Sequence, residues 1–482
     1  MAEQLTPRAA SNPAGLIAES TTRKTEVASM LDRSIRLNQG LPVSGAPTTG
    51  QNMLPQSRTT WTERFLLVTT IILLPLQAHI PSVAGISVMF LIFAALAAYI
   101  IVNRPHILGK TWCHPVFIAA YAFIGVSALL EFSSPLSEYQ DISRFGHMIG
   151  GAVCVAALCR DRSALTACLY GYIVAALWVS VVLYLTSYGT LRGATATDFS
   201  EGAQVRARTF ADNPVQGDLN GMAIVCAQGA VVAFALSLSS RLKHRRGLML
   251  GIATFCLIGA FLPMSRGGAV VSLLSFAAVL YTHGVRHGKA LVLACMLGLC
   301  VYVLVPDAVW SRMMFSTEVR HGRMESRVEM YTVALQHFPD YFISGVGAGN
   351  YFNKWGYQNG FAIRSYKIGL IVGGTHNSFL QVVINWGLIG LLAFLAVIWQ
   401  AYRCLPKKIY AKDGLALGIL GISVGLALYL LQFHNFYNKD LSLGLGILVG
   451  ARHWIWPAGI VSAVEVKQRS LSDGNRPYCH SG

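Results

Sequence analysis

Long apolar runs separated by short polar gaps dominate the chain from about residue 65 to 458. Crossing about 30 Å of hydrocarbon as a helix takes roughly 17–25 residues. The pattern predicts spans at 65–80, 83–102, 115–131, 142–159, 164–187, 218–239, 247–264, 267–283, 289–305, 378–402, 414–433 and 441–458. The expected fold is therefore an all-α polytopic membrane protein with about twelve transmembrane helices. Runs 247–264 and 267–283 are parted only by Ser265-Arg266; their combined length demands a turn there.

Polar residues supply the rest of the outline. Residues 1–60 are rich in Ser, Thr, Pro, Ala and Gly and are expected to be a disordered cytoplasmic tail. Residues 61–305 carry the first nine expected spans, 306–377 a large loop, 378–458 the last three spans, and 459–482 a second cytoplasmic tail. Composition agrees with a membrane chain: 54% of residues are hydrophobic and 12% charged, against about a quarter charged in soluble domains.

The net charge of +16 changes the picture only through its distribution. Basic residues cluster at Arg104 and Lys110, at Arg160 and Arg162, at 241–246, at Arg286 and Lys289, and at Arg403, Lys407 and Lys408. These are alternate loops, so they belong on the cytoplasmic side, with both termini. Loops 131–141, 188–217, 306–377 and 434–440 and the 265–266 turn then fall outside. No soluble domain presents a basic face, so nucleic acid is not an expected partner. The ten cysteines show no CxxC or Cys/His spacing, and neither a disulfide framework nor a metal site is expected.

Within the long loop, Val328, Tyr331, Leu335 and Phe338 recur at helical spacing, with Arg323/Arg327 and Glu325/Glu329 as i,i+4 pairs on other faces. Pro339 should stop that helix, and Gly345-Val346-Gly347-Ala348-Gly349-Asn350 should make a tight turn. This glycine run has no preceding strand and no Lys-Ser/Thr, so it is not a phosphate loop.

The external face gathers the candidate chemistry. His376 precedes an apolar span beside Asn377; it is either an interfacial neighbour of a helix cap or a general base, since an imidazole titrates near pH 6.5. Arg266, at a turn between two apolar runs, either snorkels to headgroups or pairs bidentately with phosphate oxygens. Arg206 and Arg208 also lie on the far side, where short-loop arginines are disfavoured; their plain reading is as solvated partners of Asp212 or Glu201.

Together, Ser265-Arg266-Gly267, Ser326-Arg327, the 345–352 run, His376-Asn377-Ser378-Phe379-Leu380-Gln381 and Trp386-Gly387-Leu388-Ile389-Gly390 resemble the O-antigen ligase/polymerase family. Tyr331 departs from that pattern, where a Trp would be expected. The resemblance implies a GT-C-like bacterial inner-membrane glycosyltransferase whose large periplasmic loop roofs a cavity. Its donor would be an undecaprenyl diphosphate-linked oligosaccharide. Its acceptor would be a second glycan chain, for a polymerase, or lipid A core, for a ligase. Surrounding lipids and other polysaccharide-assembly proteins are the further implied partners. No nucleotide sugar, cofactor or metal is implied. By motif, Arg266, Arg206, Arg208 and Arg327 would hold the diphosphate and His376 would be the base, giving inversion. The spacing from Arg206 to Gly217 leans towards polymerase. A lipid-linked oligosaccharide flippase and a non-catalytic assembly partner are the rival classes.

Overall fold

The computed structural model describes residues 59–73, 88–132, 139–194, 204–206, 208–210, 219–239, 244–284, 288–314, 326–365, 369–372, 374–407, 410, 412–433, 436 and 438–455. Apart from Thr59 and Thr60, both expected tails lie outside them, as do parts of the first two expected spans.

Each of the twelve apolar stretches contains a helix. They are α1 (Trp61–Leu73), α2 (Val88–Asn103), α4 (Pro115–Leu130), α5 (Gln140–Leu158), α6 (Arg162–Arg192), α7 (Leu219–Ser237), α8 (Arg246–Phe261), α9 (Arg266–His283), α10 (Gly288–Leu304), α15 (Ser378–Arg403), α16 (Gly414–Gln432) and α17 (Lys439–Gly450). Four of these, α6, α7, α15 and α16, are long and apolar enough to cross a membrane by themselves. The short α3 (Pro105–Trp112) was not expected. It bends 115° from the preceding helix, because Pro105 opens a new first turn where its missing N–H costs nothing.

The stretch 306–377 is not a plain loop. It holds α11 (Asp307–Met314), α12 (Ser326–Gln336), the single turn α13 (Phe338–Tyr341) and α14 (Asn350–Gln358). It also holds the antiparallel hairpin β1 (Ala362–Ser365) and β2 (Gly369–Val372), a small departure from an all-α fold. The expected apolar face of α12 is corrected too. Among its described side chains, from Met330 on, Met330 and Ala334 are buried, whereas Leu335 is 73% exposed; Val328 of the expected face lies outside the described side chains. Apolar residues surround this helix on every side, so periodicity alone does not choose a face. It ends at Gln336, and Pro339 lies inside α13.

Helix α7 is the hub. Every residue from Met222 to Ser237 is buried, and α6, α8, α9 and α16 all pack on it. Small residues permit this: a Cβ on Gly229 would lie 2.0 Å from that of Ala176 on α6. Lipid offers apolar side chains the same environment as protein does, so close backbone approach is what holds such helices together.

Three of the basic loops meet at one end of the bundle. Thr60 caps α1, accepting from Glu63 N at 3.2 Å, while the Glu63 carboxylate reaches back to Thr60 N at 2.6 Å. The same carboxylate, wholly buried, pairs with Arg160 at 2.6 Å and Arg104 at 3.2 Å. Asp161 caps α6, and Arg162 forks onto both oxygens of Asp413, the cap of α16, at 2.8 and 2.9 Å. Removing one member of a buried ion pair strands its partner, so Glu63→Ala is expected to cost about 3–5 kcal/mol. Thermal denaturation of the purified protein measures this, and an unchanged midpoint would contradict it.

His114 caps α4, its Nδ1 accepting from Val116 N at 3.4 Å. Burial, followed by the charges of His453 and Arg452, pushes its pKa from 6.5 down to about 4. The unfolded chain thus takes up a proton here near pH 6.5 while the folded protein resists to about 4, so this group's contribution to stability falls as pH drops through that window. His114→Asn keeps a cap acceptor without titrating. Its melting temperature should fall less than that of wild type between pH 6.5 and 4.

Candidate active site

The site is built around a broken helix. Asn377 caps helix α15, its side-chain oxygen accepting from Phe379 N and Leu380 N at 2.9 and 3.1 Å. The helix is interrupted at Gly387, where φ is 64° and ψ is −163°. A residue with a side chain would be strained there, and a Cβ would lie 2.2 Å from the Ile343 carbonyl oxygen. The interruption frees backbone groups that an apolar setting would penalise. The glycine run and Phe342 before it satisfy them: Val346 N donates to Ile384 O at 2.8 Å, Gly347 N to Asn385 O at 3.0 Å, and Leu388 N to Phe342 O at 2.6 Å. The expected tight turn is therefore real, with φ positive at Gly345, Gly347 and Gly349. Its task, docking on a split helix, was not legible.

His376 sits at the mouth of the first half of α15. Its φ is 52°, a left-handed conformation uncommon outside glycine. The turn is tied on both sides: Thr375 Oγ1 donates to Asn377 O at 2.6 Å, and Thr375 N donates to Gln381 Oε1 at 3.2 Å. Gln381 Nε2 in turn donates to Asn385 Oδ1 at 2.9 Å. A strained residue held by its neighbours is common where geometry serves chemistry.

A line of contacts links this turn to two of the arginines. Ser378 Oγ donates to Phe433 O at 2.6 Å, just past the end of α16. The preceding residue, Gln432, lies so close to Gly267 that a Cβ there would meet its amide oxygen at 2.2 Å. Gly267 follows Arg266, the first residue of α9, which Ser265 caps by accepting from Gly268 N at 3.1 Å. Gly268 packs against Ala223 on α7, and one turn earlier Asn220 Oδ1 accepts from Arg206 Nη2 at 3.0 Å. The line thus runs from the His376 turn, past the first residues of α9, to the residue that holds Arg206. Arg208 is exposed in its own short turn. Arg327 is the second residue of α12, and its side chain lies outside the described residues, as do Glu201 and Asp212.

Beneath the turn, Phe123, Phe145, Trp386, Phe394 and Phe436 form an aromatic knot, with Trp386 5.5 Å from both Phe123 and Phe436. Beside it an open apolar cavity of about 200 Å³ runs along α15 from Phe379 to Tyr402 and on to Leu405, lined also by residues of α5, α16 and α17 such as Met148, Leu430 and Leu441.

Residues 247–395 match the O-antigen ligase family model, Wzy_C. The resemblance expected from the motifs is thereby shown, over a little under a third of the chain. The O-antigen ligase match runs from α8 through the split in α15 and takes in Arg266, the glycine run and His376, leaving Arg206 outside. It supports a ligase- or polymerase-type role in surface-polysaccharide biosynthesis, with the lipid-linked glycan and acceptor that the family implies. No curated protein matches the chain.

Glu131, which opens the expected external loop 131–141, was not singled out from sequence; it is 1% exposed, and its Oε1 accepts from Trp386 Nε1 at 2.8 Å and Ala348 N at 3.0 Å. Asn385 and Gln432 were also missed, being amides inside apolar runs where spacing carries no signal.

Because Gly387 combines a positive φ with no room for a methyl, Gly387→Ala should cost more than the about 1–3 kcal/mol of backbone strain alone. Folded yield and melting temperature should both drop, and equal values would show that the break is not required.

Proposed function

We propose that the protein is an inner-membrane glycosyltransferase that transfers or polymerises polyprenyl diphosphate-linked glycan units on the periplasmic side of a bacterial membrane. Twelve crossings with both termini cytoplasmic would put His376, Arg266 and Arg206 on that side. The reading is carried by one observation above others: the contact line joining the His376 turn to Arg266 and Arg206, within a chain whose 247–395 stretch matches the O-antigen ligase family.

In this reading an acceptor hydroxyl approaches His376, which takes its proton as the oxygen attacks the anomeric carbon. The bond from that carbon to the diphosphate breaks from the opposite face, giving inversion without a metal. Arg266 and Arg206, together with Arg208 and Arg327, offset the charge that grows on the leaving diphosphate, whose oxygens match the guanidinium fork. The apolar cavity along α15 suits the hydrocarbon part of such a donor, because it begins at Phe379, three residues from His376. Chain extension is favoured over ligation to lipid A core, on the spacing of Arg206 and Gly217.

The test is to express His376→Ala and Arg266→Ala at wild-type level in cells lacking the native gene. Loss of a general base costs about 10²–10⁴ in rate, so His376→Ala should abolish long polysaccharide and leave lipid-linked units accumulated on the periplasmic face. Normal polymer length in both variants would sink the catalytic reading, and units held in the cytoplasm would point to a flippase instead.

A further inference from the structure

The buried carboxylate of Glu131 stands apart from the residues assigned so far, and what it touches gives it a task. Its Oε1 accepts from the indole N–H of Trp386 and from the backbone N–H of Ala348. One acceptor atom therefore joins the end of α4, the glycine run and the residue immediately before the Gly387 break. Its own carbonyl is held by the Tyr139 hydroxyl at 2.6 Å, fixing the short turn from which it projects. Trp386 is wholly buried within the aromatic knot, so its indole cannot swing away.

From this junction a relay leads to the catalytic turn. The residue beside Trp386 is Asn385: its carbonyl is taken by Gly347 N, and its side chain by Gln381, whose oxygen holds Thr375 N next to His376. The first half of α15, Ser378 to Trp386, is a two-ended lever, with His376 at one end and Glu131 gripping the other. Helix hydrogen bonds do not carry across the Gly387 break, so the tilt of this half-helix depends on what grips it there.

We infer that Glu131 is a positioning residue for glycosyl transfer: by clamping Trp386 and Ala348 at the break in α15, it sets the place of His376 against the reacting hydroxyl. This rests on the proposed reading of His376 as the base. The role needs an acceptor oxygen of the right reach; it does not need Glu131 to exchange protons. Gln supplies that oxygen and Ala does not, while Phe at 386 removes the donor but keeps the ring.

The experiment uses the full chain in nanodiscs and, as donor, the lipid-linked glycan extracted from cells lacking the gene. Wild type, Glu131→Ala, Glu131→Gln, Trp386→Phe, the Glu131→Ala/Trp386→Phe double variant and His376→Ala are compared at matched, monodisperse protein. Expected are a fall in kcat of about tenfold or more for Glu131→Ala, with KM for the donor within about twofold, since a 1 Å misplacement of a reacting group costs rate at that scale. Trp386→Phe should show a smaller fall of the same kind, and the double variant should be little worse than Glu131→Ala, as for partners in one interaction. Glu131→Gln should restore kcat to within a few-fold of wild type with the pH profile unchanged.

If Glu131→Ala keeps wild-type kcat while His376→Ala is inactive, the positioning role is wrong and the catalytic reading stands. If Glu131→Gln is as inactive as Ala and a limb of the pH profile is lost, Glu131 itself exchanges protons and the inference is overturned. If His376→Ala matches wild type, or wild type transfers nothing, the reading beneath both falls.

Discussion

A backbone carbonyl or amide that loses its helical partner in apolar surroundings must find another, and the architecture around the Gly387 break follows from that demand. The break at Gly387 strips partners from the carbonyls of Ile384 and Asn385, and the amides of Val346 and Gly347 replace them. That exchange pins the glycine run to α15 and brings α14 and the hairpin with it. It also explains the paired glycines: Gly345 faces the backbone of Asn385 and Gly387 that of Ile343, each at a distance that leaves no room for a Cβ. The loop is an extension of the helix it lies on.

The opposite end of the bundle meets the same requirement with charge. Glu63 is buried, yet its two oxygens serve Thr60 N, Arg104 and Arg160, so its desolvation is offset by partners on three segments. Asp161 works likewise. Burial acts to raise its carboxyl pKa, but the nearby Thr59 hydroxyl and hydrogen bonds from the amides of Ala164 and Thr59, each at 2.7 Å, hold it below the ordinary aspartate value. One end is locked by carboxylates and arginines, the other by backbone amides and one carboxylate.

Hydrophobic length was enough to find every major helix, because lipid-compatible runs are long and their interruptions few. It failed where the period was ambiguous, as on α12, and where a helix was too short to register, as with α3 and α14. At the site, His376 and Arg266 were legible as polar residues at the ends of apolar runs. Glu131 and Asn385 were not. Their meaning comes from Trp386 and Gly347, partners far off in the chain or set by a backbone conformation, and no local pattern of residue types encodes such a meeting. Gly387 was visible only as part of a Trp-Gly motif; that it splits a helix depends on the Ile343 carbonyl pressed against it.

The hub helix α7 carries a consequence for biogenesis. In the finished protein Met222 to Ser237 meet protein on every side, yet during synthesis this segment emerges before α8, α9 and α16 exist. It must therefore be apolar enough to leave the translocation machinery for lipid, and slim enough to be enclosed later. Its run of Ala, Val and Gly around a single buried Gln228 answers both demands. A bulkier and greasier sequence would enter the bilayer more readily and then fail to be enclosed.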